Sequence, residues 1–194
     1  EDNPRYEECW KHYYELTKRK GITPAIAKRV VRSNTTVLAS TLVSLGYADG
    51  LVCGLFGSYG KHLASIKDII GLKDGVKVAA ALNSLVLPTG NVFLTDTHVN
   101  TNPTAEELAE ITLMAAEEIH RFGIEPAIAL LSHSNFGSSN SLGAPKMREV
   151  LHMVNERNPH LMIDGEMRGD LAMNEAHRRE VMPDSPLKGS ANLL

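Results

Sequence analysis

The sequence predicts an α/β protein built on a largely parallel sheet with helices over both faces. Short apolar runs bounded by small residues, among them Leu51-Val52-Cys53-Gly54, Ala127-Ile128-Ala129-Leu130-Leu131 and Leu161-Met162-Ile163, read as buried strands. Between them lie segments whose apolar residues recur at helical spacing, and strands joined through helices pair in parallel and are covered on both sides. With 194 residues, 43% of them hydrophobic, the chain can bury one large core or two small ones.

From Arg5 to Lys20 the residues Tyr6, Cys9, Trp10, Tyr13 and Leu16 form one helical face, and Gly21 stops it. Thr23-Pro24 starts a second helix running to about Arg32, with threonine as cap and proline fitting the first turn. A third apolar stretch covers Thr36 to Leu45. Leu51 to Gly54 reads as a short buried strand ending in the glycine loop Gly57-Ser58-Tyr59-Gly60, followed by a helix from about Lys61 to Ile70. Val76 to Leu87 and Asn91 to Thr95 read as two strands around the turn Pro88-Thr89-Gly90-Asn91, a hairpin. Thr104 and Glu107 have capping-box spacing, Leu108, Ile111, Ala115, Ile119 and Phe122 share a face, and Gly123 closes the helix. Strand 127–131, a helix over about 144–156, strand 161–163, a helix over about 169–180 and a strand at 191–194 complete the order.

Composition narrows the function. A formal net charge of −3 gives no basic field for nucleic acid or an anionic membrane surface, and no apolar run approaches the roughly 20 residues that span a bilayer. Two cysteines, Cys9 and Cys53, support no disulfide framework, which fits a cytoplasmic setting, and neither has the neighbours of a metal or redox motif. The chain opens on Glu1-Asp2-Asn3-Pro4 and stops within the apolar run Ala191-Asn192-Leu193-Leu194, so it reads as a piece of a longer protein.

The candidate site is the loop Ser132-His133-Ser134-Asn135-Phe136-Gly137-Ser138-Ser139, between a strand and a helix. Hydroxyls and backbone N–H groups in that position suit an anion such as a phosphate, although the same residue types also build ordinary surface connections. Loops leaving the carboxyl ends of parallel strands lie along one edge, so Gly54 to Lys61, Ser132 to Ser139 and Asp164-Gly165-Glu166 are expected to line a common crevice. The glycines at 54, 57 and 60 fit neither a P-loop nor GxGxxG, and His62 stands where a P-loop has serine or threonine. Lys18 and Arg19 could meet a phosphate, but cations in a last helical turn also offset the helix dipole. Asp96 and His98 on one strand face, and Glu117 with His120, have partial metal-ligand spacing without a second half, so no metal is expected. Glu166 is expected to line the pocket rather than to act as a catalyst.

Several segments together resemble phosphate acetyltransferases: Asp49-Gly50-Leu51-Val52-Cys53-Gly54, Pro103-Thr104-Ala105-Glu106-Glu107-Leu108-Ala109-Glu110-Ile111, Leu131 to Ser139, Asp164-Gly165-Glu166-Met167 and Ser185-Pro186-Leu187-Lys188-Gly189-Ser190-Ala191-Asn192. More narrowly, Ser-His-Ser-Asn-Phe-Gly-Ser-Ser and Asp-Gly-Glu-Met resemble the phosphate-acetyltransferase-like C-terminal region of bacterial NADP-dependent malic enzymes. The resemblance implies a three-layer α/β/α architecture in two domains. Residues 1–75 would be part of the first and residues 76–194 most of the second, with acetyl-CoA and phosphate held between them.

It also implies an arginine in the helix after the first glycine loop, where this chain has Ala64. Neutralising acetyl phosphate as a thiolate attacks relies on such a cation, and losing one costs several kcal/mol of transition-state stabilisation. The resemblance therefore implies a non-catalytic, regulatory acetyl-CoA-binding module in a homo-oligomeric polypeptide. The malic-enzyme domain of that polypeptide would use NADP and a divalent metal to decarboxylate malate oxidatively to pyruvate. An active phosphate acetyltransferase, or a scaffold that only assembles subunits, remains open at this point. The expected ligand contacts are Gly54, Ser58 and Lys61 in the first loop, Ser132, Ser134, Asn135, Gly137 and Ser138 in the second, Glu166, and Lys18 or Arg19.

Overall fold

A computed structural model describes residues 4–141 and 143–194; Glu1-Asp2-Asn3 and Leu142 lie outside the described residues. Contacts divide the chain into two units, Glu1–Asp74 and Gly75–Leu194.

The regular elements among the described residues of the first unit are all helices. Helix α1 spans Pro4–Thr17, and a turn of 3-10 helix, Lys18–Lys20, ends at Gly21, whose φ of 83° is open to glycine at little cost. Helix α2, Pro24–Ser33, starts where the threonine–proline pair places it, with Thr23 Oγ1 accepting from Ile26 N at 3.3 Å. The third apolar stretch is helix α3, Thr35–Ser44, capped by Asn34 Oδ1 accepting from Val37 N at 3.1 Å. Helix α4 is Tyr59–Ile69, so the expected loop residues Tyr59 and Gly60 form its first turn. Cys9, Tyr13, Ala27, Val31, Val37 and Ile69 make the core of this unit.

The strand expected at Leu51 to Gly54 is not formed. Val52 is fully exposed, as are most of Leu55 and Phe56 at 90% and 84%. A strand needs a hydrogen-bonded neighbour, and no other strand occurs among the described residues of this unit. Apolar composition alone cannot supply that pairing.

The second unit is the α/β body. Strands β1, Asn83–Leu87, and β2, Gly90–Leu94, form the expected hairpin, with Leu87 opposite Gly90 and Pro88-Thr89 as its two-residue turn. The first strand is shorter than expected, since residues 76–82 are not paired. Helix α5, Ala105–Arg121, carries the complete capping box: Thr104 Oγ1 accepts from Glu107 N at 3.2 Å, and Glu107 Oε2 accepts from Thr104 N at 2.8 Å. Such a cap contributes about 1 kcal/mol. Phe122 lies beyond the buried face, mostly exposed, with its ring stacked 6.1 Å from that of Phe93.

Strand β3, Ala127–Leu131, and strand β4, Met162–Met167, run parallel, joined through helix α6, Ala144–Arg157. The expected final helix is two, α7, Gly169–Met173, and α8, Glu175–Val181, separated by Asn174, which caps the second by accepting from His177 N at 3.1 Å. The chain end inserts between β2 and β3, parallel to both. Phe93 N donates to Asn192 O at 2.8 Å, Leu194 N to Phe93 O at 2.9 Å and Ala129 N to Leu193 O at 2.9 Å.

The sheet therefore runs β1, β2, residues 192–194, β3, β4, with only the hairpin antiparallel. Period-2 alternation sends Ile128 and Leu130 to one face, against Ala109 and Ile119 of α5 and Val150 and Val154 of α6. Ala127 and Ala129 turn to the other face, against Leu171 and Ala172 of α7 together with Leu187 and Ala191. This unit thus has the α/β architecture that the sequence predicts. No helix among the described residues is long and apolar enough to cross a membrane.

Candidate functional site

Strand β4 continues past its apolar start, so Asp164, Gly165 and Glu166 lie within the strand and not in a loop after it. Asp164 is buried, its Oδ2 accepting from Ser185 Oγ at 2.5 Å and its Oδ1 from Gly165 N at 2.8 Å. Gly165 lies at φ 144°, and a Cβ there would sit 2.7 Å from Leu130 O. Only glycine lets β4 approach β3 this closely. The register shifts by one residue beside it, Gly165 opposite Leu130 but Met167 opposite Leu131, which leaves Glu166 as an extra residue in the ladder.

Glu166 is wholly buried beneath the loop that follows β3. Its Oε1 accepts from Gly137 N at 3.0 Å, Ser134 Oγ at 3.3 Å and Arg148 Nη1 at 3.0 Å. Its Oε2 has no partner among the described residues. Backbone bonds bind the loop to the same strand: Ser132 N donates to Met167 O at 2.8 Å, Phe136 N to Glu166 O at 2.7 Å, and Arg168 N to Asn135 Oδ1 at 2.8 Å. Ser138 Oγ accepts from Asn135 N at 3.1 Å. Phe136 at φ 44° followed by Gly137 at φ 83° turns the chain tightly over the carboxylate.

The structure thus brings together Ser132, Ser134, Asn135, Gly137, Ser138 and Glu166, but with a polarity that the sequence does not show. The expected anion donors Ser134 Oγ and Gly137 N point inward and are taken by the protein's own carboxylate. The exposed side of the loop carries a different set. His133 Nε2 lies 2.7 Å from Ser141 Oγ, and Ser139 Oγ lies 2.8 Å from the same hydroxyl. Arg148 of α6 reaches the loop's end, donating from Nη1 to Ser139 O at 3.2 Å and from Nη2 to Asn140 Oδ1 at 2.8 Å. Sequence reading missed Arg148, because one arginine among the polar residues of an amphipathic helix carries no local signal.

The remaining expected contacts belong to the first unit. Ser58 precedes α4, its carbonyl accepting from Lys61 N at 3.0 Å, and Gly54 lies at φ 119°. A cavity of about 170 Å³ is lined by Cys53, Gly54, Tyr59, His62, Leu63 and Ile66. His62, also missed, orders this loop: its Nδ1 lies 2.8 Å from Thr36 Oγ1 and its Nε2 2.7 Å from Phe56 O. Lys18 pairs with Glu15, whose carboxylate hydrogen-bonds the ammonium and raises its pKa, while Arg19 is exposed in the 3-10 turn.

One of the two weak metal pairs is placed differently from the expectation, and the other lies on the helix expected for it. Strand β2 ends at Leu94, so Asp96 and His98 share no strand face. Asp96 organises the turn after it, accepting from Ala81 N at 3.0 Å, Val99 N at 3.2 Å and Asn100 N at 2.8 Å. Glu117 pairs with Arg121 at 2.7 Å, and His120 lies 3.6 Å from Glu125. No cluster of three or more His, Cys, Asp or Glu among the described residues could hold a metal ion.

A sequence profile described as phosphate acetyl/butaryl transferase matches residues 1–194. The chain belongs to this family. It is 94% identical over 194 residues to an NADP-dependent malic enzyme of Haemophilus influenzae, the match covering all of this chain and 26% of that protein. An NADP-dependent malic enzyme of Escherichia coli matches at 55% identity, with the same 26% share. The chain therefore spans about a quarter of these relatives, and the match falls on their phosphate-acetyltransferase-like C-terminal region. Among solved structures, a phosphotransacetylase from Streptococcus pyogenes superposes with a TM-score of 0.88 at 30% identity, over 99% of this chain and 58% of that one.

Proposed function

We propose that this chain is the acetyl-CoA-sensing region of a malic-enzyme polypeptide, binding acetyl-CoA or a related acyl-CoA at the 132–141 loop without turning it over. The observation that carries this reading is the loop itself: its backbone is fixed from beneath by the buried Glu166, while hydroxyls, an imidazole and a guanidinium remain on its outer side. A pre-formed polar rim of this kind binds without a large ordering cost. Ala64, where the family resemblance places an arginine, supports recognition without acyl transfer. The rest of the polypeptide carries malate oxidation to pyruvate and carbon dioxide, together with the NADP and the divalent cation that this chemistry uses.

Acetyl-CoA then acts by binding one state of the homo-oligomeric polypeptide more tightly than the other, a coupling of typically about 1–3 kcal/mol. Isothermal titration of the full-length polypeptide with acetyl-CoA is the direct test. Binding at micromolar to submillimolar concentration supports the reading, and no heat of binding up to millimolar ligand removes it. Family membership favours one alternative, an active phosphate acetyltransferase making acetyl-CoA from acetyl phosphate and CoA. That activity, abolished by Ser134→Ala or Lys61→Ala, would replace the sensing reading.

A further inference from the structure

The inward turn of the loop's donors leaves the question of what positive charge an anion would meet there. Among the described residues, Arg148 is the cation that reaches this loop through its side chain. It makes three hydrogen bonds, to Ser139 O, Asn140 Oδ1 and Glu166 Oε1. A guanidinium carries five N–H donors, so two remain uncommitted among the described residues. The side chain keeps 33% of its surface exposed while its carboxylate partner keeps none. An ion pair serving the core alone would have both partners enclosed; here the acid is sealed in and the base keeps a third of its side chain toward solvent.

We propose that Arg148 is the cationic contact for a phosphoryl or diphosphate group at the outer face of the 132–141 loop. The reading rests on the ligand class proposed above and names the atom group that meets its phosphates. Glu166 fixes the guanidinium from behind at 3.0 Å, and Gly137 N and Ser134 Oγ fix the carboxylate in turn. The planar fork is therefore already aimed, and little side-chain freedom is lost when it binds. Its bonds to Ser139 and Asn140 set it beside the hydroxyls of Ser139 and Ser141 and the imidazole of His133, which supply further hydrogen bonds to phosphate oxygens. The charge of Glu166 offsets part of the attraction, so affinity depends on the geometry of the fork as well as on charge.

The test uses the full-length polypeptide, with inorganic diphosphate and acetyl-CoA as separate probes. Arg148→Gln is expected to weaken diphosphate binding at least tenfold, and Arg148→Lys, which keeps the charge without the fork, at least threefold. Wild-type affinity in both variants, or no diphosphate binding by the wild-type protein, overturns the proposal. Because Arg148→Gln also loosens Asn140, a second measurement leaves the sequence intact: phenylglyoxal labelling of Arg148, followed by peptide mass spectrometry, slows severalfold when diphosphate is present. An unchanged labelling rate overturns the assignment whatever the variants do. Arg148-dependent diphosphate binding without acetyl-CoA binding would leave this site standing and remove the sensing function, so the two failures are told apart.

Discussion

Replacing Arg178 by methionine removes a cation that is wholly buried and keeps most of its aliphatic stem. The guanidinium of α8 donates to Leu171 O at 2.9 Å, Ala172 O at 3.2 Å, Leu187 O at 3.2 Å and Gly189 O at 2.6 Å. It thereby ties α7 to the segment that delivers residues 191–194 into the sheet beside β3. Ala172 O also accepts from Ala191 N at 2.9 Å, so the other three carbonyls carry the loss. At about 1–3 kcal/mol for each buried group left unpaired, the gross cost is roughly 3–9 kcal/mol.

Relief from burying the charge returns several kcal/mol of this, and Nε has no partner even in the intact protein. The net expected destabilisation is roughly 2–4 kcal/mol, a large share of the 5–15 kcal/mol that typically holds a domain. Urea denaturation followed by circular dichroism reads the global effect. Hydrogen exchange at the amides of Asn192 and Leu194, which bond Ala127 O and Phe93 O, reads the local one. A variant within about 0.5 kcal/mol of the parent chain, with unaltered exchange at these amides, would refute the view that Arg178 holds the inserted strand.

Two further outcomes test the geometry beneath the site. Gly165→Ala forces a Cβ to 2.7 Å from Leu130 O and 2.9 Å from Leu130 Cβ at a backbone φ of 144°, so a loss of about 2–5 kcal/mol is expected. A thermal melt within a degree of wild type would contradict the close approach of β4 to β3. Burial pushes the Asp96 carboxyl up, but the N–H of Ala81, the Asn100 side chain and the N–H groups of Asn100 and Val99 outweigh it, so its pKa lies below the ordinary aspartate value. A carboxyl lowered in the folded state stabilises above the unfolded pKa of about 3.9 and loses that contribution as pH falls through the folded value. Wild type should therefore be more stable than Asp96→Asn at neutral pH, with the gap closing below about pH 4; a gap independent of pH would show that the charge contributes nothing.

How much of this was legible in the sequence depends on the range over which each signal acts. The capping box at Thr104 and Glu107, the threonine–proline start of α2 and the Pro88–Gly90 hairpin are local, and each is formed as its residues predict. Leu51 to Gly54 misled because strand formation needs a partner that apolar residues cannot announce. Asp164 to Glu166 misled in the opposite direction. Polar residues after an apolar run read as a loop, yet Ser185, Gly137 and Arg148 reach them from distant positions and make their burial tolerable. Ser134 and Asn135 were found by composition, but whether their polar atoms face a ligand or the protein depends on Glu166 arriving from another strand. Arg148 became visible only when α6 packed against β4.

Recognition of acetyl-CoA without turnover is tested most directly in one reaction mixture holding the full-length polypeptide, malate, NADP, a divalent cation and phosphate, with acetyl-CoA raised stepwise. The expected result is a saturable, severalfold fall in NADPH formation with no acetyl phosphate produced. Acetyl phosphate accumulating with each turnover, or a malate oxidation rate indifferent to acetyl-CoA, would contradict it.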